Sequence, residues 1–245
     1  AMPEKLVLDL PVAYSAVDRD QVITLRGVFA CFQEAAIAHA NELNAGTHAM
    51  AARGEAWVLK RMAAAIERYP GYGEALRIET WSSAVRGAKG YREFLVFGGA
   101  GEPVFRGSSV WVYVSLKTRS IVRVPAEVAE GFPSHPGDIL CPDLEDLELP
   151  PPGPDSADVV QVSLRYSDVD AMQHVNNTSY FDLLQTALAR LGRPSRPRHV
   201  RVRFGRGISS DVTAVEVRLA RSPAGEPAAF SVALGNEIFA RGDIG

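Results

Sequence analysis

A five-residue word that occurs twice constrains the fold of this chain more than any other feature of its sequence. It reads YSAVD at Tyr14–Asp18 and YSDVD at Tyr166–Asp170. At the same spacing, and without gaps, further identical residues align. These pairs are Gln21 with Gln173, Gln33 with Gln185, and Ala35 with Ala187. Two copies are too few for a solenoid, so the repeat predicts two similar domains packed as a pseudo-dimer.

The second copy leads into a polar loop that is followed by an apolar helix. The polar side chains of the loop are Asp168, Asp170, His174, Asn176 and Asn177. Apolar residues then recur at helical spacing from Tyr180 to Leu191, which predicts a helix at about 177–192. Asn177 or Thr178 is a suitable N-cap, because a short polar side chain can accept the first free amides. The amides and dipole at this helix start would favour an oxyanion.

The first copy keeps the word but loses most of the polar side chains that follow it. Asp18 aligns with Asp170, but Val22 stands where the second copy has its histidine. Thr24 and Leu25 stand in place of the two asparagines. We therefore interpret the first half as a binding half and the second as the reactive half.

The composition limits the classes of partner. The formal net charge is −3, so bulk charge gives no reason to expect nucleic acid or anionic lipid as a partner. No apolar run is long enough to span a bilayer and no signal peptide is recognisable, so we expect a cytoplasmic location. Cys31 and Cys141 form neither a disulfide scaffold nor a metal-ligand cluster. We expect no cofactor and no metal, and an inert buried thiol at Cys31.

The order of predicted elements is the same in both parts of the chain: a strand, the repeated word, a long helix and then several strands. The first helix is predicted at about 25–44. The predicted strands are 5–14, 57–69, 76–82, 91–97, 104–115, 120–124, 159–166, 200–204, 213–219, 228–234 and 237–240. Of these, 57–69 is ambiguous, because Ala63–Ala65 favours a helix and Trp57–Leu59 a strand. The order suggests an α+β layout with an antiparallel sheet round a buried helix.

A segment rich in proline, glycine and acidic residues separates the two parts. Proline-rich stretches act as semi-rigid spacers, so we interpret this segment as a linker between domains. The predicted division is an N-terminal domain at 2–130, a linker at 131–158 and a C-terminal domain at 159–245.

The polar loop and its helix resemble the signature of hotdog-fold thioesterases. The shared features are D-x-D at Asp168–Asp170, HVNN at His174–Asn177, and the aromatic Tyr180 opening an apolar helix. They match acyl-ACP thioesterases and acyl-CoA thioesterases of the 4-hydroxybenzoyl-CoA thioesterase type. The first part of the chain also resembles acyl-ACP thioesterases. The fragments that carry this second resemblance are Phe32–Ala36, Trp57–Leu59, Thr80–Trp81, Arg92–Phe94 and Val110–Val112. The resemblance makes 57–69 a strand.

This resemblance implies two tandem hotdog domains, each an antiparallel sheet wrapped around a long central helix. It implies hydrolysis of acyl-ACP or acyl-CoA to a free fatty acid and the thiol carrier. The expected catalytic residues are Asp170 as base or nucleophile, His174 and Asn176; the expected substrate-binding residues are Asn177, Tyr180, Phe32 and Trp57. Asp168 is expected to fix the loop by accepting backbone hydrogen bonds.

The chain departs from the acyl-ACP thioesterase pattern at two places. Plant-type members carry an asparagine where this chain has Met172, and an acid or cysteine on a later strand where it has Phe204–Gly207. Methionine cannot hold water with a useful hydrogen bond. Methionine at this position is similar to acyl-CoA thioesterases that depend on the aspartate and the helix amides. The departure also leaves open a protein that binds acyl thioesters without cleaving them.

The expected partners are an acyl-carrier protein or a CoA thioester, with no nucleic acid and no membrane span. A carrier protein is acidic, so basic side chains near the second helix could dock it. The candidate patch consists of Arg196, Arg198, Arg201 and Arg203. The chain is expected to be a monomeric pseudo-dimer or a homodimer.

Overall fold

The computed structural model describes residues 5–135, 137, 139–221 and 228–245. The strands in these ranges are β1 Lys5–Pro11, β2 Glu55–Ile66, β3 Ala75–Arg86, β4 Lys89–Phe97, β5 Pro103–Ser115, β6 Ser120–Ile121, β7 Ala157–Ser163, β8 His199–Phe204, β9 Ala214–Ala220, β10 Ala228–Leu234 and β11 Glu237–Ile244. The α-helices are α1 Leu25–Glu42, α2 Thr47–Ala52, α3 Ala126–Gly131 and α4 Ser179–Arg190. The predicted domain start at Met2 and the linker positions Pro136 and Asp138 lie outside the described residues.

The predicted strands and both long helices are confirmed, with boundaries shifted by a few residues. The strand interpretation of 57–69 is also confirmed, because β2 covers most of it. The short helices α2 and α3 are absent from the prediction, since six residues are too few to show an amphipathic period. The mixed α and β layout with a large antiparallel sheet is therefore as the sequence predicts.

One sheet runs through the whole molecule, and every pairing between its strands is antiparallel among the described residues. Its order is β1-β3-β4-β5-β2-β8-β11-β10-β9-β7, with β6 paired to β5. Read from each outer edge inwards, the two halves follow the same order, β1-β3-β4-β5-β2 and β7-β9-β10-β11-β8. They meet where Arg61–Ala65 of β2 pairs with His199–Arg203 of β8. The repeat in the sequence thus corresponds to a repeat in strand topology.

The two long helices pack against the same side of the sheet and against each other. Phe29 of α1 and Phe181 of α4 occupy equivalent positions at the spacing of the sequence repeat. Their rings stack with centroids 3.4 Å apart and planes inclined by 2°, and both side chains are almost fully buried. A residue stacked on its own counterpart lies at the axis that relates the two halves. Truncating either ring would cost about 3–5 kcal/mol through lost burial and the cavity left behind.

The segment between the halves is more than a spacer. Its residues Cys141–Leu149, which we call the strap, cross the sheet face opposite the long helices. Arg61 Nη1 donates to the carbonyl oxygens of Leu144 and Leu147, at 3.2 and 2.7 Å. The Leu144 side chain is buried against Ala63 and Val110. The strap therefore covers apolar surface on the outer face of the sheet, in addition to connecting the two halves.

Candidate functional site

The two copies of the repeated word form two loops with the same backbone structure. We call residues 14–24 the first loop and residues 166–176 the second loop. In the first, the Asp18 amide donates to the Val22 carbonyl at 2.9 Å; in the second, the Asp170 amide donates to the His174 carbonyl at 2.9 Å. Gln21 and Gln173 take the same left-handed conformation, with φ of 59° and 62°. This conformation is uncommon for residues other than glycine. Its presence at equivalent positions shows that the two loops follow the same backbone path.

The equivalent carboxylates of the two loops have different surroundings. Each accepts one amide at 2.9 Å through Oδ1, from Asp20 for Asp18 and from Met172 for Asp170. Asp18 Oδ2 also accepts from Arg196 Nη2 at 2.7 Å. Burial opposes ionisation of Asp18, but the hydrogen bonds from Arg196 and the loop amides lower its pKa overall. Asp170 forms no ion pair with a described residue, so one oxygen of this half-buried carboxylate remains available.

Asp168 fixes the second loop, as the sequence predicts. Its side chain is buried and accepts from the Arg165 amide at 2.8 Å. The Arg165 guanidinium donates to the same carboxylate at 2.8 Å, and Arg26 of α1 approaches it at 3.4 Å. Burial opposes the charge, but the hydrogen bonds from Arg165 outweigh it and lower the pKa of Asp168. The loop is thereby tied both to itself and to the helix of the other half.

His174 lies exposed on the second loop, beside the chain that follows β8. It forms an isolated antiparallel bridge with Ser209. A Cβ atom added at Gly207 would lie 2.9 Å from His174 Cδ2, so glycine leaves the room that the imidazole occupies. This contact gives a physical reason for a glycine at a place where the sequence analysis finds neither acid nor thiol.

The start of α4 is capped by Asn176. Its Oδ1 accepts from the Thr178 amide at 2.8 Å and from the Thr178 hydroxyl at 2.7 Å. Its carbonyl accepts from the Ser179 amide at 2.9 Å. Thr178 stands at the N-cap and is one of the two residues predicted for that position, but its side chain makes no capping hydrogen bond. Asn176 precedes the turn, so its carboxamide reaches the amides more directly.

A narrow cleft lies between the two long helices at the start of α4. It is lined by Phe29, Phe32, Gln33, Leu59, Met62, Phe94, Trp111, Asn177, Thr178 and Phe181. Its volume of about 20 Å³ is close to that of one water site, so an acyl chain would enter only if side chains moved. Among the described residues, the Asn177 amide has no hydrogen-bond acceptor. The cleft therefore has apolar walls and, at one end, the backbone amide of Asn177, which has no acceptor among the described residues.

The structure brings only part of the predicted site to this cleft. Phe32 and Asn177 line it, and Asn176 is adjacent in the chain. Tyr180 is buried outside the cleft lining, with its ring 5.4 Å from that of Phe204. Burial raises the pKa of Tyr180, and the negative charge of Asp170 adds to this effect.

Trp57 does not reach the cleft. It packs with Tyr113 and Phe132, at ring distances of 4.9 and 6.0 Å, in a separate cluster with residues of α2 and α3. A larger open depression of about 570 Å³ at the β1–β3 edge lies away from both loops and is lined by Leu10, Leu76 and neighbouring residues. Neither region contains Asn177, and Asp170 and His174 line neither of them nor the cleft.

Most of the cleft lining is not predicted from the sequence. Phe181 and Gln33 are not singled out as binding residues, although the fixed spacing aligns Phe29 with Phe181 and Gln33 with Gln185. Identical residues at equivalent positions on two facing helices are the signal that could have found them. The strand residues of the cleft carry no such signal, because their alternation only predicts a buried face.

The predicted arginine patch is divided by the structure. Arg196 binds Asp18 and Asp20, both at 2.7 Å, and Arg201 binds Asp243 at 2.8 Å. Arg203 instead stands in register between Arg61 of β2 and Arg241 of β11 on the outer face of the sheet. Two members of the patch therefore serve intramolecular ion pairs. The sequence gives no sign of these pairs, because their partners are distant in the chain.

Cys31 matches the expectation of an inert thiol. Cys31 is partly buried within α1, and burial raises the pKa of its thiol to about 12, which keeps it protonated at neutral pH. Within the described parts of the chain, no helix combines the length and apolar character needed to cross a membrane.

Two family models match the chain. Residues 5–132 match the acyl-ACP thioesterase N-terminal domain, and residues 154–217 match the acyl-ACP thioesterase C-terminal domain. The dodecanoyl-[acyl-carrier-protein] hydrolase of Cinnamomum camphora is 35% identical over 183 residues, which are 69% of this chain and 47% of that protein. An acyl-[acyl-carrier-protein] hydrolase of Cuphea viscosissima is 33% identical over 176 residues, 67% of this chain and 42% of that protein. The chain spans less than half the length of these relatives.

Solved structures share the fold along almost the whole chain. The 12:0-ACP thioesterase of Umbellularia californica superposes with a TM-score of 0.81 at 23% identity, over 100% of this chain and 97% of that chain. An acyl-ACP thioesterase of Bacteroides thetaiotaomicron superposes with a TM-score of 0.80 at 20% identity, over 98% and 97%. At these identities the likeness concerns the fold.

Proposed function

Because the chain belongs to the acyl-ACP thioesterase family, we propose that it hydrolyses fatty acyl thioesters, with acyl-ACP as the substrate. The products are a free fatty acid and the thiol carrier. The observation that carries the proposal is the difference between Asp18 and Asp170. Two loops with the same backbone structure hold the two carboxylates. Arg196 binds Asp18, whereas Asp170 has no ion-pair partner among the described residues and precedes the free Asn177 amide in the chain.

Asp170 acts as the general base in this proposal. Its available oxygen takes a proton from water while the water oxygen forms a bond to the thioester carbon. The carbonyl oxygen becomes negatively charged and is stabilised by the Asn177 amide, just before the start of α4. The intermediate then breaks its carbon–sulfur bond, and the departing thiolate receives the proton from Asp170. Direct attack by the carboxylate on the carbonyl is the variant in which Asp170 is the nucleophile.

His174 and Asn176 support the reacting group. His174 is on the same loop as Asp170, with its ring seated over Gly207, and can orient the attacking water. Asn176 holds the turn that presents the Asn177 amide, so it acts by positioning. Tyr180 lies in the first turn of α4, and its contact with the thioester end of the substrate is part of this proposal. These roles are proposed because His174 and Asn176 lie on the same loop as Asp170 and immediately before α4.

The acyl chain would enter the cleft between α1 and α4. Phe32 and Phe94 form apolar walls there, supplied by the first half. We therefore expect substitutions of the apolar residues along the Phe29–Ala40 face of α1 to alter chain-length preference more than kcat. Trp57 is left without a substrate role, because its surroundings are the cluster round α2 and α3.

We also propose that the chain consists of two tandem hotdog domains, at 2–130 and 159–245, joined by residues 131–158. The repeated strand order and the equivalent loops support this division. The first domain would bind the acyl group and the second would carry the reacting groups, as the sequence repeat suggests.

A release assay tests the proposed activity. Free thiol is measured with matched acyl-ACP and acyl-CoA substrates over a range of chain lengths, for the wild-type protein and for Asp170→Asn. Release from acyl-ACP by the wild type, lost in the variant, is the expected result. Release from acyl-CoA alone would move the substrate assignment to the other carrier.

A non-catalytic acyl-thioester binding protein is the second candidate, and one observation favours it. Met172, between Asp170 and His174, is half exposed and offers no amide to a water molecule. Saturable binding of acyl-ACP with no thiol release by the wild type would establish this candidate and exclude the first.

A further inference from the structure

The two equivalent glutamines on the long helices are used differently. Gln185 of α4 reaches the start of α1: its Oε1 accepts from the Leu25 amide at 2.9 Å. Its Nε2 donates to the Ser195 carbonyl at 2.9 Å. The Leu25 amide is the first of its helix, so Gln185 fills the opening at that helix start. A glutamine at this helix position can therefore span the gap between the helices and reach the first amide of the other one.

Gln33 of α1 is the counterpart of Gln185 at the repeat spacing, and Asn177 is the counterpart of Leu25. Both line the cleft. No hydrogen bond joins them, and among the described residues neither the Gln33 carboxamide nor the Asn177 amide has another partner. The helices differ at their starts, because α1 begins at Leu25 whereas α4 begins at Ser179, two residues after the equivalent position. The cap made by Asn176 delays α4 and keeps this second opening free.

We propose that Gln33 is a catalytic residue contributed by the first half: its Nε2 group donates a hydrogen bond to the carbonyl oxygen of the bound thioester, beside the Asn177 amide. This inference rests on the proposed hydrolysis. The carbonyl oxygen occupies, at the start of α4, the place that a glutamine oxygen occupies at the start of α1. The two donors come from different halves, so the site is complete only when α1 and α4 are packed together.

The chemical role follows from where charge develops. When the water oxygen bonds to the thioester carbon and its proton moves to Asp170, the carbonyl electron pair shifts onto oxygen. The hydrogen bond from a neutral carboxamide N–H to that oxygen is stronger in the transition state than in the ground state. The difference in strength raises kcat. The carbon–sulfur bond then breaks, the carbonyl reforms, and Asp170 returns its proton to the thiolate. Removing one such donor typically lowers kcat about 10²–10³-fold.

The experiment compares Gln33→Ala and Gln33→Glu with Gln185→Ala, using steady-state thiol release from acyl-ACP and thermal unfolding of each variant. Gln33→Ala should lower kcat by roughly 10²-fold and change KM little. Gln33→Glu keeps the size but places a negative charge beside the oxyanion, so it should lose more at pH 7. The ratio of its kcat to the wild-type kcat at the same pH should rise as pH falls, because a protonated carboxyl can again donate, whereas protonation of Asp170 lowers kcat in both proteins. Gln185→Ala should lower the unfolding temperature and keep wild-type kcat.

The outcomes separate this inference from the activity itself. If the wild type releases thiol, Asp170→Asn does not, and both Gln33 variants keep wild-type kcat, then Gln33 has no role in the reaction and the hydrolysis stands. Equal losses of kcat in Gln33→Ala and Gln185→Ala would assign both glutamines to helix packing and overturn the inference. Absence of thiol release by the wild type would remove the hydrolysis and, with it, the role of Gln33. A larger loss in Gln33→Glu, relative to wild type at the same pH, that shrinks as pH falls supports the inference, since packing alone does not predict that pH profile.

Discussion

The first and second loops have the same backbone hydrogen bonds but different electrostatic surroundings. In the first loop, Arg196 binds the carboxylate of Asp18, and Gln185 binds the amide at the start of α1. In the second loop, one oxygen of Asp170 has no hydrogen-bond partner among the described residues, and the same holds for the Asn177 amide that follows the loop. The comparison teaches that one scaffold can support a closed, structural loop and an open, reactive one. A few side chains from the opposite half decide which loop is closed.

The largest effect should come from the two equivalent carboxylates. Asp170→Asn should lower kcat about 10²–10⁴-fold, because it removes a general base and keeps the shape of the side chain. KM should move little, since substrate contacts are retained. Asp18→Asn is the matched control and should keep nearly full activity. Equal kcat in the two variants, measured on one acyl-ACP, would break the comparison and place the reaction elsewhere.

The next effect concerns Asp168, the buried carboxylate that anchors the second loop through Arg165. Asp168 aligns with Ala16, so the first loop has no such carboxylate. Asp168→Asn should lower the free energy of unfolding by about 1–3 kcal/mol at pH 7, because a buried, charge-assisted hydrogen-bond group is lost. Urea unfolding followed by circular dichroism measures this.

The pH dependence of that loss has a definite sign. The pKa of Asp168 is lowered in the folded protein, so its contribution is fully present above the unfolded value near 3.8 and is lost as pH falls below it. The difference between wild type and Asp168→Asn should therefore shrink in acid. Asp182→Asn, which removes a more exposed carboxylate from the same arginines, should cost less than about 1 kcal/mol. A larger loss in Asp182→Asn would show that burial does not decide the anchor.

A smaller gain should follow from restoring an amide at position 172. Met172→Asn should raise kcat about 2–10-fold, the net value of one hydrogen bond to the attacking water, with stability unchanged at this half-exposed position. Asp20→Asn makes the same residue at the equivalent place in the first loop and should not change kcat. A fall in kcat for Met172→Asn would mean that the methionine itself contacts the substrate.

The smallest effect should come from releasing the closed loop. Arg196→Ala removes a partly exposed ion pair, so it should cost roughly 0.5–1 kcal/mol of unfolding free energy and leave kcat unchanged. Because Asp18 has a lowered pKa, this cost should be present at neutral pH and disappear as pH falls below about 3.8. Chemical denaturation at pH 7 and pH 3 measures it. A change in kcat would mean that the first loop also takes part in the reaction.

The elements of the fold follow from the sequence because they repeat with a local period. Alternation predicts the strands, and helical spacing predicts α1 and α4. The role of Asp168 in fixing its loop also follows, because the residues concerned are close in the chain. These are the cases in which sequence distance and spatial distance agree.

The rest depends on contacts between residues far apart in the chain. The sequence aligns Asp18 with Asp170, but nothing local shows that Arg196 reaches only the first of them. The geometry of one turn decides that Asn176 supplies the side-chain hydrogen bond before α4. Residue type alone does not distinguish Asn176 from Asn177 and Thr178 in this role. Trp57 shares β2 with the cleft residue Leu59, but it lies further along the strand, where α2 and α3 pack over it. The resemblance carried by Trp57–Leu59 therefore does not place every one of these residues at the cleft.

The pairing of β2 with β8 joins two halves that belong to one polypeptide. Its formation is governed by the effective concentration that the connecting segment imposes, and so it does not depend on how much protein is present. An enzyme whose site lies between separate subunits loses that site when it is diluted below the dissociation constant of the pair. Here Gln33 and Asn177 stay together at any dilution. The activity or binding capacity per molecule of protein should therefore be the same at nanomolar and at micromolar concentration.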